Sequence, residues 1–224
     1  MKKKIFITTK DNKKIAANLF EPEKPQVSVR GWILLIHMMP ATKESWDSFA
    51  EKLLNADYGA LAIDLRGHGE SEQGPSGFLK FSDKEHQNGI FDLEAGIEFL
   101  KSRGAKPEMI FLIGASIGAN LSLQWLAENS EFKKAVLLSA GLNYRGVETK
   151  SLIKILKPDQ QVFLASAKDD GRAEVNAAQN QKLYEAVPVA VKKEIKIYET
   201  GGHGTDILKN QPDLPDLIIK FLNN

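Results

Sequence analysis

The stretch Gly114-Ala115-Ser116-Ile117-Gly118 is the most informative part of this sequence. It follows an apolar run, Met109 to Ile113, that predicts a strand, and it precedes a helical pattern that begins at Ala119. A strand, a tight turn with a central serine and a helix form the context in which G-x-S-x-G indicates a nucleophile elbow. The two flanking glycines suit so sharp a turn, because a bulkier side chain would collide with the neighbouring backbone. We therefore predict that Ser116 is a nucleophile; the alternative is a structural turn at a strand end.

A nucleophilic serine requires a general base and an acid that orients the base. Behind a nucleophile elbow these partners follow in the order acid, then histidine. Of the four histidines only His203 lies after Ser116, in a glycine-rich loop that follows a predicted strand, so it is the candidate base. Asp169 and Asp170 both follow the predicted strand Val162–Ala165. Asp170 is preferred because it stands at the tip of the turn, and the other aspartate is expected to bond to backbone N–H groups.

The composition indicates one sizeable soluble domain and excludes several classes of site. In 224 residues, 30 Lys and Arg stand against 29 Asp and Glu, and this balance argues against a nucleic-acid partner. We find neither a signal-peptide pattern nor an apolar run of the roughly 18 residues that a membrane span requires, so a cytoplasmic protein is expected. The absence of cysteine excludes disulfides and thiolate metal sites. No zinc, Walker or dinucleotide motif is present, so neither a metal nor a cofactor is expected.

Strands and helices alternate from Gly31 to the end of the chain. This order predicts an α/β fold with a mostly parallel sheet of about eight strands and helices on both faces. Two opening strands, Lys4–Thr9 and Lys14–Phe20, are expected to form an antiparallel edge. In the connections, the pattern predicts a surface segment over residues 70–89 and helices over Val147–Leu156 and Glu174–Val187.

The chain resembles the α/β-hydrolase superfamily over essentially all of its length. Five stretches carry the resemblance: His37-Met38-Met39-Pro40, Asp64-Leu65-Arg66-Gly67-His68-Gly69-Glu70-Ser71, Gly114 to Gly118, Asp170-Gly171 and Gly202-His203-Gly204. No long insertion separates the strand at Ala135 from the strand at Val162, so residues 1–224 are expected to form a single domain without a lid. In this respect the chain is similar to the small serine esterases and the dienelactone-hydrolase-like branch. Ser116 departs from the Cys nucleophile typical of dienelactone hydrolases.

The resemblance implies an activity and an oxyanion hole. One backbone N–H is expected from Ile117 and the other from Met38 or Met39, with Met38 standing where many relatives have glycine. The implied reaction is hydrolysis of a carboxylic ester or similar acyl bond in a small molecule, through an acyl-enzyme intermediate. An acyltransferase, a thioesterase or a peptidase would use the same triad. A non-catalytic binding protein on a hydrolase scaffold is the alternative from another class.

We do not expect the three other histidines to be catalytic. His37 ends a predicted buried strand and is expected to brace the oxyanion loop. His68 is expected to fix a loop near the site, and His86, in a polar connection, is expected to be solvated.

Overall fold

The computed structural model describes residues 1–22, 29–171 and 176–224, and strands form its centre. The strands are β1 Lys2–Thr8, β2 Lys14–Phe20, β3 Gly31–Ile36, β4 Tyr58–Ile63, β5 Ile110–Ala115, β6 Lys134–Leu138, β7 Asn143–Tyr144, β8 Val147–Glu148, β9 Gln161–Ala167 and β10 Lys192–Tyr198. Eight of them form one sheet in the order β1-β2-β4-β3-β5-β6-β9-β10. The pairs β1–β2 and β2–β4 are antiparallel and all the others in this sheet are parallel, which confirms the predicted sheet with its antiparallel N-terminal edge.

The central strands are buried on both faces, as their continuous apolar sequences predict. In β3, Leu34 and Ile36 belong to one hydrophobic core, whereas Ile33 and Leu35 belong to a second. Successive side chains of a strand point to opposite faces, so the two cores lie on the two sides of the sheet.

Helices cover both of these cores. They are α1 Asp47–Asn55, α2 Asp83–Gln87, α3 Ile90–Ser102, α4 Ile117–Glu128, α5 Lys150–Lys154, α6 Asn176–Ala186, α7 Asp206–Asn210 and α8 Leu214–Asn223, with short 3₁₀ helices at Lys43–Trp46, Gly77–Lys80 and Pro107–Met109. Apolar residues of α3, α4, α5 and α6 join the core that contains Leu34, and those of α1, α7 and α8 join the core that contains Leu35. Of the helix predicted over Glu174–Val187, residues 174–175 lie outside the described residues.

The prediction of a helix over Val147–Leu156 is wrong at its N-terminal end. The strands β7 and β8 form a hairpin, and only Lys150–Lys154 is helical. The turn between the strands places Arg145 at φ 53° and Gly146 at φ 80°. Two successive residues at positive φ match the twist of a hairpin, and the Asn143 side chain stabilises the turn by accepting a bond from Gly146 N at 2.8 Å. Between β6 and β9 the chain thus adds only this hairpin and α5, and no lid domain.

The connection over residues 70–89 contains the 3₁₀ helix Gly77–Lys80 and helix α2. A capping box between Ser82 and Glu85 fixes the start of α2. The expectation that His86 is solvated is wrong, because this side chain is buried and packs edge-to-face on Phe81. A short capped helix has one inward face, and His86 occupies it.

Candidate active site

Ser116 lies at the sharp turn between β5 and α4. Its φ of 55° and ψ of −119° form a backbone conformation that residues with a side chain rarely adopt, so the turn is strained. The chain can turn this tightly because of its glycines: a Cβ on Gly114 would lie 2.1 Å from Gly118 O, and a Cβ on Gly118 would lie 2.4 Å from Ile36 O. The Ser116 N–H donates to Leu138 O at 2.8 Å, which ties the turn to β6. Ser116 is thereby held at the carboxyl end of the parallel sheet.

The structure brings His203 and Asp170 together. His203 follows β10, Asp170 follows β9, and the distance from His203 Nδ1 to Asp170 Oδ2 is 2.5 Å with both side chains buried. The neighbouring Asp169 instead accepts hydrogen bonds from Gly201 N at 3.1 Å and Gly202 N at 2.9 Å. These two bonds lower the pKa of the exposed Asp169 carboxyl. The two adjacent aspartates therefore have different partners: one binds the imidazole and the other the loop that carries it.

The loop that carries His203 packs directly against the nucleophile turn. Gly204 has a φ of +57°, and a Cβ on it would lie 3.2 Å from Ala115 Cβ and 2.6 Å from Met38 Sδ. Gly204 N also donates to Ser139 Oγ at 2.9 Å. These contacts place the imidazole loop beside the residue that precedes Ser116. Among the described residues, however, no hydrogen bond joins Ser116 to His203, so the proton-transfer contact is not closed in this structure.

Tyr144 is a residue of this site that the sequence analysis missed. Its ring meets the His203 ring edge-to-face, with 6.4 Å between the ring centroids, and the Ser116 side chain is among the groups that act on its hydroxyl. Burial, followed by the negative charge of Asp170, raises the pKa of Tyr144 to about 12. A short turn signal after β6, Asn143 to Gly146, is the only sequence feature that marks this segment.

The backbone N–H groups expected to form an oxyanion hole belong to the loop after β3 and to the start of α4. In the described part of the chain, neither Ile117 N nor Met38 N donates to a protein acceptor. His37 holds the loop, since its Nδ1 lies 2.9 Å from Met38 O and its Nε2 accepts from Leu65 N at 2.9 Å. Burial lowers the pKa of His37 to about 3, so the ring is neutral and Nδ1 carries its proton. Met39, the other expected donor, lies on the same loop.

His68 and His86 line one small cavity together with Met39, Ile117 and Phe81. The space available to the centre of a water molecule there is about 10 Å³, which suits a single water. The Nε2 atoms of both histidines are buried without a protein partner. His68 stacks on Phe78 with 4.1 Å between the ring centroids, and its Nδ1 lies 3.0 Å from Arg66 O. Burial lowers the pKa of both histidines.

A salt-bridge network fixes the loop after β4. The Arg66 guanidinium lies 2.8 Å from Asp92 Oδ1 and 2.7 Å from Asp11 Oδ2. Burial raises the pKa of Asp92 to about 6, whereas the bond to Arg66 lowers the pKa of Asp11 to about 2. These charges anchor the segment that follows Asp64, and they make no contact with Ser116.

Comparison with known proteins identifies a family for more than half of the chain. The sequence model of the family described as serine aminopeptidase, S33, matches residues 27–168, which is more than half of the chain. A comparison with curated proteins finds no match.

Solved structures of similar fold include esterases and a peptidase. The esterase Pf2001 of Pyrococcus furiosus is 21% identical, with a TM-score of 0.76 and coverage of 100% of this chain and 92% of that chain. The esterase RhEst1 of Rhodococcus sp. is 17% identical, with a TM-score of 0.76 and coverage of 99% and 98%. An acylaminoacyl peptidase in complex with a chloromethyl ketone is 18% identical, with a TM-score of 0.78 and coverage of 100% of this chain but 41% of that chain. At these identities the likeness shows the fold alone.

The described residues contain neither a membrane-spanning helix nor a metal-binding cluster. None of the helices in the described residues combines the length and the apolar character that a membrane crossing requires. Within residues 1–22, 29–171 and 176–224, no group of three or more His, Cys, Asp or Glu side chains is arranged to hold a metal ion.

Proposed function

The chain belongs to the serine aminopeptidase S33 family, and we propose that it is a serine hydrolase that cleaves a carboxylic ester or similar acyl bond of a small molecule. One observation carries this proposal. Ser116 stands in a strained turn at the carboxyl end of the sheet, packed beside the loop of a histidine whose Nδ1 lies 2.5 Å from the buried Asp170. This is the combination of nucleophile, base and orienting acid that acyl transfer requires.

In the first half of the reaction Ser116 forms a bond to the substrate carbonyl carbon. His203 Nε2 takes the hydroxyl proton, while Asp170 holds the Nδ1–H tautomer and stabilises the imidazolium. The backbone N–H groups of Ile117 and of Met38 or Met39 donate to the carbonyl oxygen as it becomes negative. The bond to the leaving alcohol then breaks, the alcohol oxygen receives the proton from His203, and an acyl-enzyme remains.

In the second half water replaces the alcohol. His203 takes one proton from the water as its oxygen attacks the acyl carbon, and the same N–H groups stabilise the new tetrahedral oxyanion. Collapse of this intermediate breaks the bond to Ser116 Oγ, which receives the proton back from the imidazolium. The products are the free acid and the regenerated hydroxyl.

A peptidase activity is the second candidate, and the description of the matched family favours it. An amide is cleaved by the same steps, with an amine leaving in place of an alcohol. Turnover of p-nitrophenyl esters against aminoacyl p-nitroanilides separates the two activities. Thioester substrates and added alcohol acceptors extend the comparison to thioesterase and acyltransferase activity.

The proposal is tested with a fluorophosphonate probe on wild type and Ser116→Ala. We expect one adduct, mapped to Ser116 by peptide mass, and no adduct in the variant. We also expect p-nitrophenyl ester turnover in wild type to fall to background in Ser116→Ala while the circular-dichroism spectrum is unchanged. Full esterase activity in the purified variant would show that another group is the nucleophile. A wild-type protein without an adduct or turnover would favour a binding protein on a hydrolase scaffold.

A further inference from the structure

The Tyr144 hydroxyl lies near the reacting groups, but it is not the nucleophile, the base, the orienting acid or an oxyanion-hole donor. It accepts a hydrogen bond from Asn176 Nδ2 at 3.1 Å, and the Ser116 side chain is a second polar group that acts on it. Its ring stands at 84° to the ring of His203. Tyr144 thus lies beside both the nucleophile and the base, on a hairpin outside the central sheet.

Buried polar side chains hold this hairpin firmly in place. Asn120 on α4 accepts from Gly141 N at 3.1 Å and donates to Val147 O at 2.9 Å, so it ties both ends of the segment to the helix that follows the nucleophile. Thr149 Oγ1 donates to Gly141 O at 2.7 Å. The ring of Tyr144 lies on Gly141, where a Cβ would be only 2.6 Å from the ring. The position of the hydroxyl is therefore set by the fold before any substrate binds.

The partners of Asn176 determine which way the phenol proton points. The second hydrogen of Asn176 Nδ2 goes to Ala140 O at 3.0 Å, and Asn176 Oδ1 accepts from Asn180 Nδ2 at 3.1 Å. These bonds fix the amide with its nitrogen toward Tyr144. Since an amide nitrogen only donates, the phenol oxygen is the acceptor there and its single proton is free to point to Ser116 Oγ.

We propose that Tyr144 is a further catalytic residue, whose phenol donates a hydrogen bond to Ser116 Oγ whenever that oxygen carries negative charge. This inference rests on the proposed function. Charge develops on Oγ as His203 removes its proton during acylation. It develops again during deacylation, when the bond from Oγ to the acyl carbon breaks and the electron pair stays on Oγ until the imidazolium returns the proton. Tyr144 keeps its own proton throughout, and burial favours this neutral form.

Tyr144→Phe is the direct test, because it removes the hydroxyl and keeps the ring that packs on Gly141 and His203. A preorganised donor to a developing oxyanion is worth roughly 10²–10³ in rate. Because the imidazolium also stabilises the negative charge on Ser116 Oγ, we expect a smaller decrease in kcat, about 10- to 100-fold. An interaction made only in the transition state lowers kcat and kcat/KM equally and leaves KM unchanged. The matched control is Tyr184→Phe, whose ring lies over Lys193 Nζ at 4.6 Å and, among the described residues, does not contact the triad; its kinetics should match wild type.

A second readout separates catalysis from support of the fold. Because the phenol stays protonated well above neutral pH, the ratio of wild-type to Tyr144→Phe activity should be constant between about pH 6 and about pH 9. A purely structural tyrosine would instead raise KM or lower Tm with kcat preserved, and that result would overturn the proposal. Fluorophosphonate labelling of wild-type Ser116 tests the proposed function separately. If wild type labels and turns over, and Tyr144→Phe does both at the same rates, only the role of Tyr144 is refuted.

Asn176→Asp tests the direction of the proton. A carboxylate at this position accepts the phenol proton and draws it away from Ser116, so turnover should fall by a factor similar to that of Tyr144→Phe. In the Tyr144→Phe background the same substitution should have little further effect, since no phenol proton remains. Equal losses in both backgrounds would show that Asn176 acts independently of Tyr144, and the proton assignment would be wrong. The double-mutant comparison also cancels any cost of the lost bond to Ala140 O.

Discussion

Gly118 is the position at which one added methyl group tests the architecture of the nucleophile turn most directly. A Cβ there would lie 2.4 Å from Ile36 O, 2.8 Å from His37 O and 2.9 Å from Ile36 C. Real Cβ atoms essentially never come within 3.0 Å of another heavy atom, so Gly118→Ala forces the turn and β3 apart by at least 0.6 Å. All three are main-chain atoms, at the end of the buried strand β3 or directly after it, so no flexible side chain can move aside.

The expected cost follows from two opposing effects. Overpacking a well-packed site costs typically 1–3 kcal/mol, and clashes with three main-chain atoms favour the upper end, about 3 kcal/mol. Gly118 lies in the first turn of α4, where alanine gains about 1 kcal/mol over glycine in helix propensity. The net prediction is a loss of about 2 kcal/mol, which corresponds to a decrease in Tm of about 4–8 °C for a chain of this length. Helix propensity alone predicts a change of the opposite sign.

Thermal and urea unfolding of wild type, Gly118→Ala and Gly171→Ala measure this difference. Gly171 is the matched control, because an added Cβ there meets nothing within 4 Å, and we expect Gly171→Ala to be neutral or slightly stabilising. A misplacement of 1 Å costs about 10²-fold in rate, so the displaced turn should also slow fluorophosphonate labelling of Ser116 by about tenfold or more. A Gly118→Ala protein as stable as Gly171→Ala, or labelled as fast as wild type, would refute the steric argument.

Two further predictions concern the aspartate pair and a buried histidine. Asp170→Asn should lower kcat by about 10³–10⁴ because the amide no longer holds the His203 tautomer, whereas the paired variant Asp169→Asn should retain most of the activity; equal losses in an esterase assay would contradict the assignment. His37 has a folded-state pKa of about 3 against 6.5 for the free side chain, so below about pH 6.5 the unfolded chain binds a proton that the folded chain refuses, and stability is lost as pH falls. The loss is about 1.4 kcal/mol per pH unit. The raised pKa of Asp92 acts in the opposite direction, so the free energy of unfolding in urea is compared between wild type and His37→Gln at about pH 7 and about pH 5. Between these pH values the variant should lose less stability than wild type, by up to about 1.4 kcal/mol per pH unit. An equal loss in both proteins would show that His37 titrates normally.

Much of the fold follows from local sequence patterns. The strand β2 has the predicted bounds, Lys14–Phe20, because the polar turns on both sides of it leave little choice. The helix α4 follows the predicted strand after one tight turn. This turn requires glycine at positions 114 and 118, because a Cβ at either position would clash with main-chain atoms. Alternation of strands and helices then determined the mostly parallel sheet, because parallel neighbours require a crossover.

The hairpin β7–β8 and the burial of His86 were not predictable in this way. The hairpin depends on two residues at positive φ and on Asn120, which precedes Val147 by 27 residues and binds its carbonyl. His86 is buried against Phe81 and lines a cavity with Met39 and Ile117, which are far from it in the chain and which the polar composition of residues 70–89 does not reveal. In both cases local composition indicated one state and distant partners imposed another.

The candidate site likewise has features that the local sequence determined and features that depend on tertiary contacts. The sequence by itself determined the chemical types and their order: a serine between glycines, then a pair of aspartates, then a histidine among glycines. Only the tertiary structure decided that Asp170 rather than Asp169 meets His203, because that contact joins two loops 33 residues apart. It alone placed Tyr144 against His203 and beside Ser116, since the carboxyl ends of β5, β6, β9 and β10 meet at one edge of a folded sheet and nowhere along an extended chain. Residue types are local information, whereas distances between side chains exist only after the backbone has folded.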